Sequence, residues 1–133
     1  MKKEIPPTNG LTINFRDLFP SAHQTDLSTY LSHLLNIPQP SLTCSGTVAL
    51  IIALQTLEKR QPQRKQVIIP AWTCPLVALA IEKIGLTPVL CDIETNSLNF
   101  EIQQLQQLTN ANTLAIVVTH FAGLVYDFSL VQE

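Results

Sequence analysis

Past Lys83 the sequence contains no lysine or arginine, and its only charged residues there are Asp92, Glu94, Glu101, Asp127 and Glu133. A complete protein surface usually intersperses both signs. Either a charge-poor chain has sampled unevenly, or the complementary cations lie further along a longer parent chain. The formal net charge of −2 excludes the basic surplus expected of a nucleic-acid binder. Long apolar runs are missing too. The longest, Val48 to Leu54, is far short of the roughly 20 residues that span a bilayer. Lys2 and Lys3 have no apolar stretch behind them, so Met1 to Gly10 does not read as a signal peptide. Cys44, Cys74 and Cys91 are odd in number and match no zinc or disulfide spacing, which predicts reduced thiols in a cytoplasmic protein. His23 and His33 add no metal spacing, and no metal is expected. With four glycines, the chain also lacks the glycine-rich spacing of a dinucleotide fingerprint or P-loop.

What is present is apolar. Of 133 residues, 46% are hydrophobic and 14% charged, against about a quarter charged in ordinary soluble domains. A chain of this length supports one domain with a real core. The low charge predicts a sheet covered by helices on both faces, or apolar surface that belongs against absent sequence or a second subunit.

The first forty residues are broken by Pro6, Pro7, Pro20, Pro38 and Pro40. Between them, Leu27, Leu31, Leu34 and Leu35 predict a short amphipathic helix within His23 to Leu35. Residues 1–40 therefore read as an arm with one helix, and 41–133 as an incomplete α/β domain. In the latter, Ser45 is placed to cap a helix running to Arg60, with Lys59 and Arg60 favourable at its C-terminal end. Its first three turns are apolar nearly all round, which predicts a buried helix. Val67–Ile69 reads as a buried strand closed by Pro70. A helix follows over Pro75 to Ile84, with Pro75 in its first turn and Gly85 at its stop. Val89–Cys91 reads as a strand, Phe100 to Leu108 as a helix carrying Ile102, Leu105 and Leu108, and Leu114 to Thr119 as the strongest strand. Short apolar strands alternating with helices predict a mainly parallel sheet with flanking helices, the α/β class.

Ligands of open parallel sheets bind beyond the C-terminal strand ends, near helix N-termini. Three segments fall there. At Ser45-Gly46-Thr47, free N–H groups, two hydroxyls and a glycine could cradle a phosphate, although simple capping has the same pattern. Trp72, the only tryptophan, lies with Cys74 after a strand. It could stack on a planar heterocycle or merely edge the core. Cys74 has no visible partner that would make it a nucleophile. His120 follows the last strand, reads as a satisfied half-buried histidine, and forms no triad with Asp127. Gly123 marks a turn.

In order and spacing, Ser45-Gly-Thr-Val-Ala-Leu, Val67-Ile-Ile-Pro-Ala-Trp-Thr-Cys, Gly85-Leu-Thr-Pro-Val-Leu-Cys-Asp-Ile and Ala115-Ile-Val-Val-Thr-His-Phe-Ala-Gly resemble the DegT/StrS aminotransferases over residues 40 to 127. The resemblance implies the front part of an aspartate aminotransferase-like large domain that binds pyridoxal 5′-phosphate (PLP) and aminates a keto-sugar, often nucleotide-linked. It assigns the PLP phosphate to Ser45, Gly46 and Thr47. The family's ring-stacking aromatic falls on Cys74, with Trp72 two residues earlier, so either side chain is a candidate. The family's Schiff-base lysine and pyridine-nitrogen aspartate match no residue of this chain, which implies no catalytic residue here and weak or absent PLP binding by the chain alone. The family also implies a homo-oligomer with a small-molecule sugar substrate, and neither a nucleic-acid nor a membrane partner. A PLP-dependent sugar dehydratase of the same family and a non-catalytic truncated α/β interaction module are the alternatives.

Overall fold

A computed structural model describes residues 15–19, 26–120, 123 and 126. The chain divides into two compact units, Met1–Leu42 and Thr43–Glu133.

In the first unit, a 3-10 turn spans Phe15–Leu18, and the Phe15 and Phe19 rings meet edge to face at 5.3 Å. Helix α1 spans Leu27–Leu35. The expected start near His23 lies outside the described residues. Asp26 caps α1 by accepting the Thr29 N–H at 3.1 Å and the Thr29 hydroxyl. Those bonds, the backbone one first, hold the Asp26 carboxyl below its ordinary value. Asn36 enters the left-handed region at φ 51° and stops the helix.

The second unit carries a parallel sheet with strand order β2-β1-β3, where β1 is Gln66–Pro70, β2 is Thr87–Cys91 and β3 is Thr113–Ile116. Its helices are α2 (Gly46–Arg60), α3 (Pro75–Lys83) and α4 (Ile102–Leu108). Pro88 sits in an edge strand and Pro70 closes the central one, the positions where a missing N–H is tolerated. Gly85, at φ 78°, turns the chain from α3 towards β2.

Alternation along β1 divides the core. Val67 and Ile69 join Leu54, Ile81, Leu86 and Leu114, backed by Leu50 and Leu57 of α2 and Val77 and Ala78 of α3. Ile68 points the other way, with Cys91, Phe100, Leu105 and Tyr126. The sheet is thus covered on both faces, the first of the two alternatives that the low charge leaves open. No helix among the described residues is long and apolar enough to cross a membrane.

Three expectations need correction. Helix α2 is not buried all round: only Leu54 is fully buried, while Ala49, Ile52 and Ala53 are exposed. The sheet and α3 take up only the Leu50–Leu54–Leu57 stripe, and no described element packs on the opposite face. The last strand is shorter than Leu114 to Thr119: its pairing with β1 runs only from Thr113 to Ile116, with an irregularity between Gln66 and Val67, and the Val117 N–H still reaches the Ile68 carbonyl at 2.9 Å. Phe100 is not in the fourth helix. It pairs with Ile93 in an isolated bridge and inserts its ring into the core, leaving Glu101 to cap α4.

Candidate functional site

Residues 61–65 carry the chain from α2 into β1, and the Lys65 N–H bonds Asn112 just before β3. The C-terminal end of α2 therefore lies at the edge where the strands begin. Because α2 packs along the sheet through Leu50, Leu54 and Leu57, its N-terminus faces the opposite edge, where β1, β2 and β3 end.

Ser45 is extended at φ −162°, and its Oγ accepts the Val48 N–H at 3.3 Å. The expected N-cap is present. The Thr43 hydroxyl donates to the Ser45 carbonyl at 2.9 Å, and the Ala49 N–H donates to the same oxygen at 3.1 Å. These bonds fix the entry turn without using the N–H groups of Gly46 and Thr47, or the Thr47 hydroxyl, for which no protein acceptor stands among the described residues. Ser45 uses its oxygen as an acceptor and keeps its own hydrogen to donate. The turn therefore offers four unused donors at the positive end of a helix 15 residues long, and its chemistry suits an anion.

Gly46 sharpens this point. Its backbone is not in the left-handed region, and a Cβ built on it meets nothing within 4 Å. Neither backbone strain nor crowding within the protein calls for a glycine. Close approach of a ligand to the main chain would.

The loop Ala71–Cys74 leaves the end of β1. Trp72 is 62% exposed, and Cys74 holds an exposed free thiol. Cys74 occupies the N-cap position of α3 but makes no side-chain capping bond there, so its sulfur is not committed to the helix. Between them, Thr73 Oγ1 lies 3.4 Å from Thr119 Oγ1, which ties the loop to the chain beyond β3. His120 is exposed rather than half-buried, and its Nδ1 accepts the Tyr126 N–H at 3.0 Å. Asp127 lies outside the described residues. Thr73 and Thr119 drew no attention in the sequence, although a hydroxyl closing the apolar run Ala115 to Val118 was a usable signal. Cys91, at the end of β2, is fully buried. Burial first, then the Glu101 and Asp92 carboxylates, push its thiol up to about 11, so it is no nucleophile at neutral pH. Among the described residues, no group of three or more His, Cys, Asp or Glu side chains could hold a metal ion.

The chain is similar to known proteins in both sequence and fold. The model of the DegT/DnrJ/EryC1/StrS aminotransferase family matches residues 23–133. The dTDP-4-amino-4,6-dideoxy-D-glucose transaminase of Escherichia coli is 34% identical over 111 residues, which are 84% of this chain and 29% of that protein. The GDP-perosamine synthase of Vibrio cholerae is 27% identical over 79% of this chain and 28% of its own length. Among solved structures, Spr1654 of Streptococcus pneumoniae, an assigned sugar aminotransferase solved in PLP form, superposes with a TM-score of 0.71 at 28% identity, covering 78% of this chain and 26% of that one. Helicobacter pylori PseC, an aminotransferase in the biosynthesis of pseudoaminic acid, gives 0.69 at 26% identity, over 79% and 28%. The chain thus spans under a third of the length of the curated relatives it matches.

Proposed function

The chain belongs to the DegT/DnrJ/EryC1/StrS aminotransferase family, and from that premise we propose that it supplies the phosphate-binding part of a PLP-dependent enzyme that aminates a keto-sugar. One observation carries the reading. Gly46 is a glycine that the fold does not need, set in a turn that leaves four donors unused. The phosphate monoester group of PLP is the ligand that fits both features.

In this role the Gly46 and Thr47 N–H groups and the Ser45 and Thr47 hydroxyls hold phosphate oxygens. The positive end of α2 adds a favourable field. The absence of a Cβ at residue 46 lets the phosphate sit against the main chain. Trp72 and Cys74 supply a wall for the ring, an aromatic face and a polarizable sulfur. When bound, PLP supplies an electrophilic aldehyde and a ring that accepts electron density from the substrate carbon. The sugar substrate is proposed from the sugar enzymes to which the chain is similar.

The test separates cofactor from fold. Gly46→Ala should leave the thermal midpoint unchanged or slightly raised, because alanine is the better helix former by roughly 0.5–1 kcal/mol. The same change should weaken PLP binding about ten-fold or more, the worth of a displaced charge-assisted hydrogen bond. Equilibrium dialysis of the full chain against PLP reads the second effect. Equal affinity in the wild type and Gly46→Ala, or no saturable binding by the wild type even at the millimolar PLP that a weak site requires, sinks the assignment.

A further inference from the structure

We infer that Thr119 is a positioning residue: through Thr73 it holds the Ala71–Cys74 loop, and so the side chains offered to the ring, against the chain beyond β3. The inference rests on the reading that this loop faces PLP.

The loop has a backbone tie at each end. The Ala71 N–H donates to the Cys91 carbonyl at 2.8 Å, and the Cys74 carbonyl accepts the Val77 N–H at 2.9 Å. Between those ties, Thr73 Oγ1 meets Thr119 Oγ1 at 3.4 Å, and either hydroxyl can donate. Thr73 and Thr119 are half-buried, whereas Trp72 and Cys74 on either side of Thr73 are exposed. A loop whose middle residue turns inward to β3 presents its two neighbours outward.

The far end of the tie is itself held. Thr119 precedes His120, whose Nδ1 takes the Tyr126 N–H. Tyr126 is buried, with its ring edge-on to Phe100 at 5.6 Å. Position therefore passes from a core aromatic pair to Thr119 and from there to the loop. Neither threonine needs to touch the cofactor for this. Removing the hydroxyl leaves the shape of the side chain and releases only the loop.

Hydrogen exchange at the Ala71 amide, bonded to the Cys91 carbonyl at the base of the loop, reads the tie in the full chain without ligand. Thr119→Val should speed that exchange about five-fold, the equilibrium worth of one neutral hydrogen bond. Thr119→Ser should restore the wild-type rate, and Thr73→Val, which cuts the same bond from the other side, should match Thr119→Val. Quenching of Trp72 fluorescence by PLP then reads affinity, which should fall by a similar factor in both valine variants and recover in the serine variant. Unchanged exchange at Ala71 in both valine variants overturns the tie. Faster exchange with unchanged PLP affinity overturns the positioning role. A wild type that binds no PLP overturns the cofactor reading, and the tie then stands or falls on exchange alone.

Discussion

Cys91 shows how far the surroundings of one residue settle its chemistry. Its side chain is fully buried at the end of β2, and desolvation opposes the thiolate before the nearby Glu101 and Asp92 charges add to the effect. With the pKa raised from 9.0 to about 11, the folded protein keeps a proton that the unfolded chain gives up. Proton linkage then fixes the sign: this stabilisation is complete below pH 9 and is lost as pH rises towards 11. Urea midpoints between pH 8 and 11 should therefore fall more steeply for the wild type than for Cys91→Ala. Parallel slopes would mean that the thiol is solvated. Cys44 and Cys74, both exposed, should react quickly with a thiol reagent under the same conditions. Composition could assign three reduced cysteines. It could not say which one was sealed, because that depends on Phe100 and Leu105 arriving from fifteen residues' distance or less on the far face.

At the scale of elements, the two capping serine and glycine positions of α2 separate cleanly. Ser45→Ala removes the acceptor for the Val48 N–H and should cost about 1 kcal/mol, as N-cap truncations do. Chemical denaturation would read that loss, and its absence would show that the cap contributes nothing. Much at this scale was legible in the sequence. The cap at Ser45, Pro75 in the first turn of α3, Gly85 after it and the parallel sheet all follow from local chemistry. The errors have a common cause, which is the neighbour. The apolar surface of α2 suggested burial, but burial needs a partner, and only one stripe has one. The apolar run Leu114 to Thr119 suggested a long strand, but an apolar run does not by itself pair, and the ladder with β1 stops at Ile116. Phe100 joined the helical pattern of Ile102, Leu105 and Leu108 by spacing, while its ring was claimed by Ile68 and Tyr126. The candidate site was legible as segments. The bond between Thr73 and Thr119 was not, since 46 residues separate its ends.

For the whole molecule, the described surface is rich in exposed apolar side chains: Leu76 and Leu79 on α3, Ile52 on α2 and Leu90 on β2 are each about half exposed or more. Among the described residues, β2 and β3 also pair on one side only. Open edges and apolar patches both favour association. Light scattering of the purified chain should give a mass above the 14.8 kDa of one copy. A stable monomer over a wide concentration range would count against that expectation.

The place of β1 between two strands that both follow it in sequence has a further consequence, for the order in which the chain folds. Its pairing with β2 closes only the stretch that holds α3, whereas its pairing with β3 must also bring in α4 and both connections. Loop closure costs more entropy for the longer stretch. The β1–α3–β2 unit, with Ile69 and Ile81 at its centre, is therefore the natural nucleus, and β3 is the late arrival. The tie between Thr73 and Thr119 joins the chain just beyond that late strand to the early unit, so the Ala71–Cys74 loop reaches its final position only once β3 has docked.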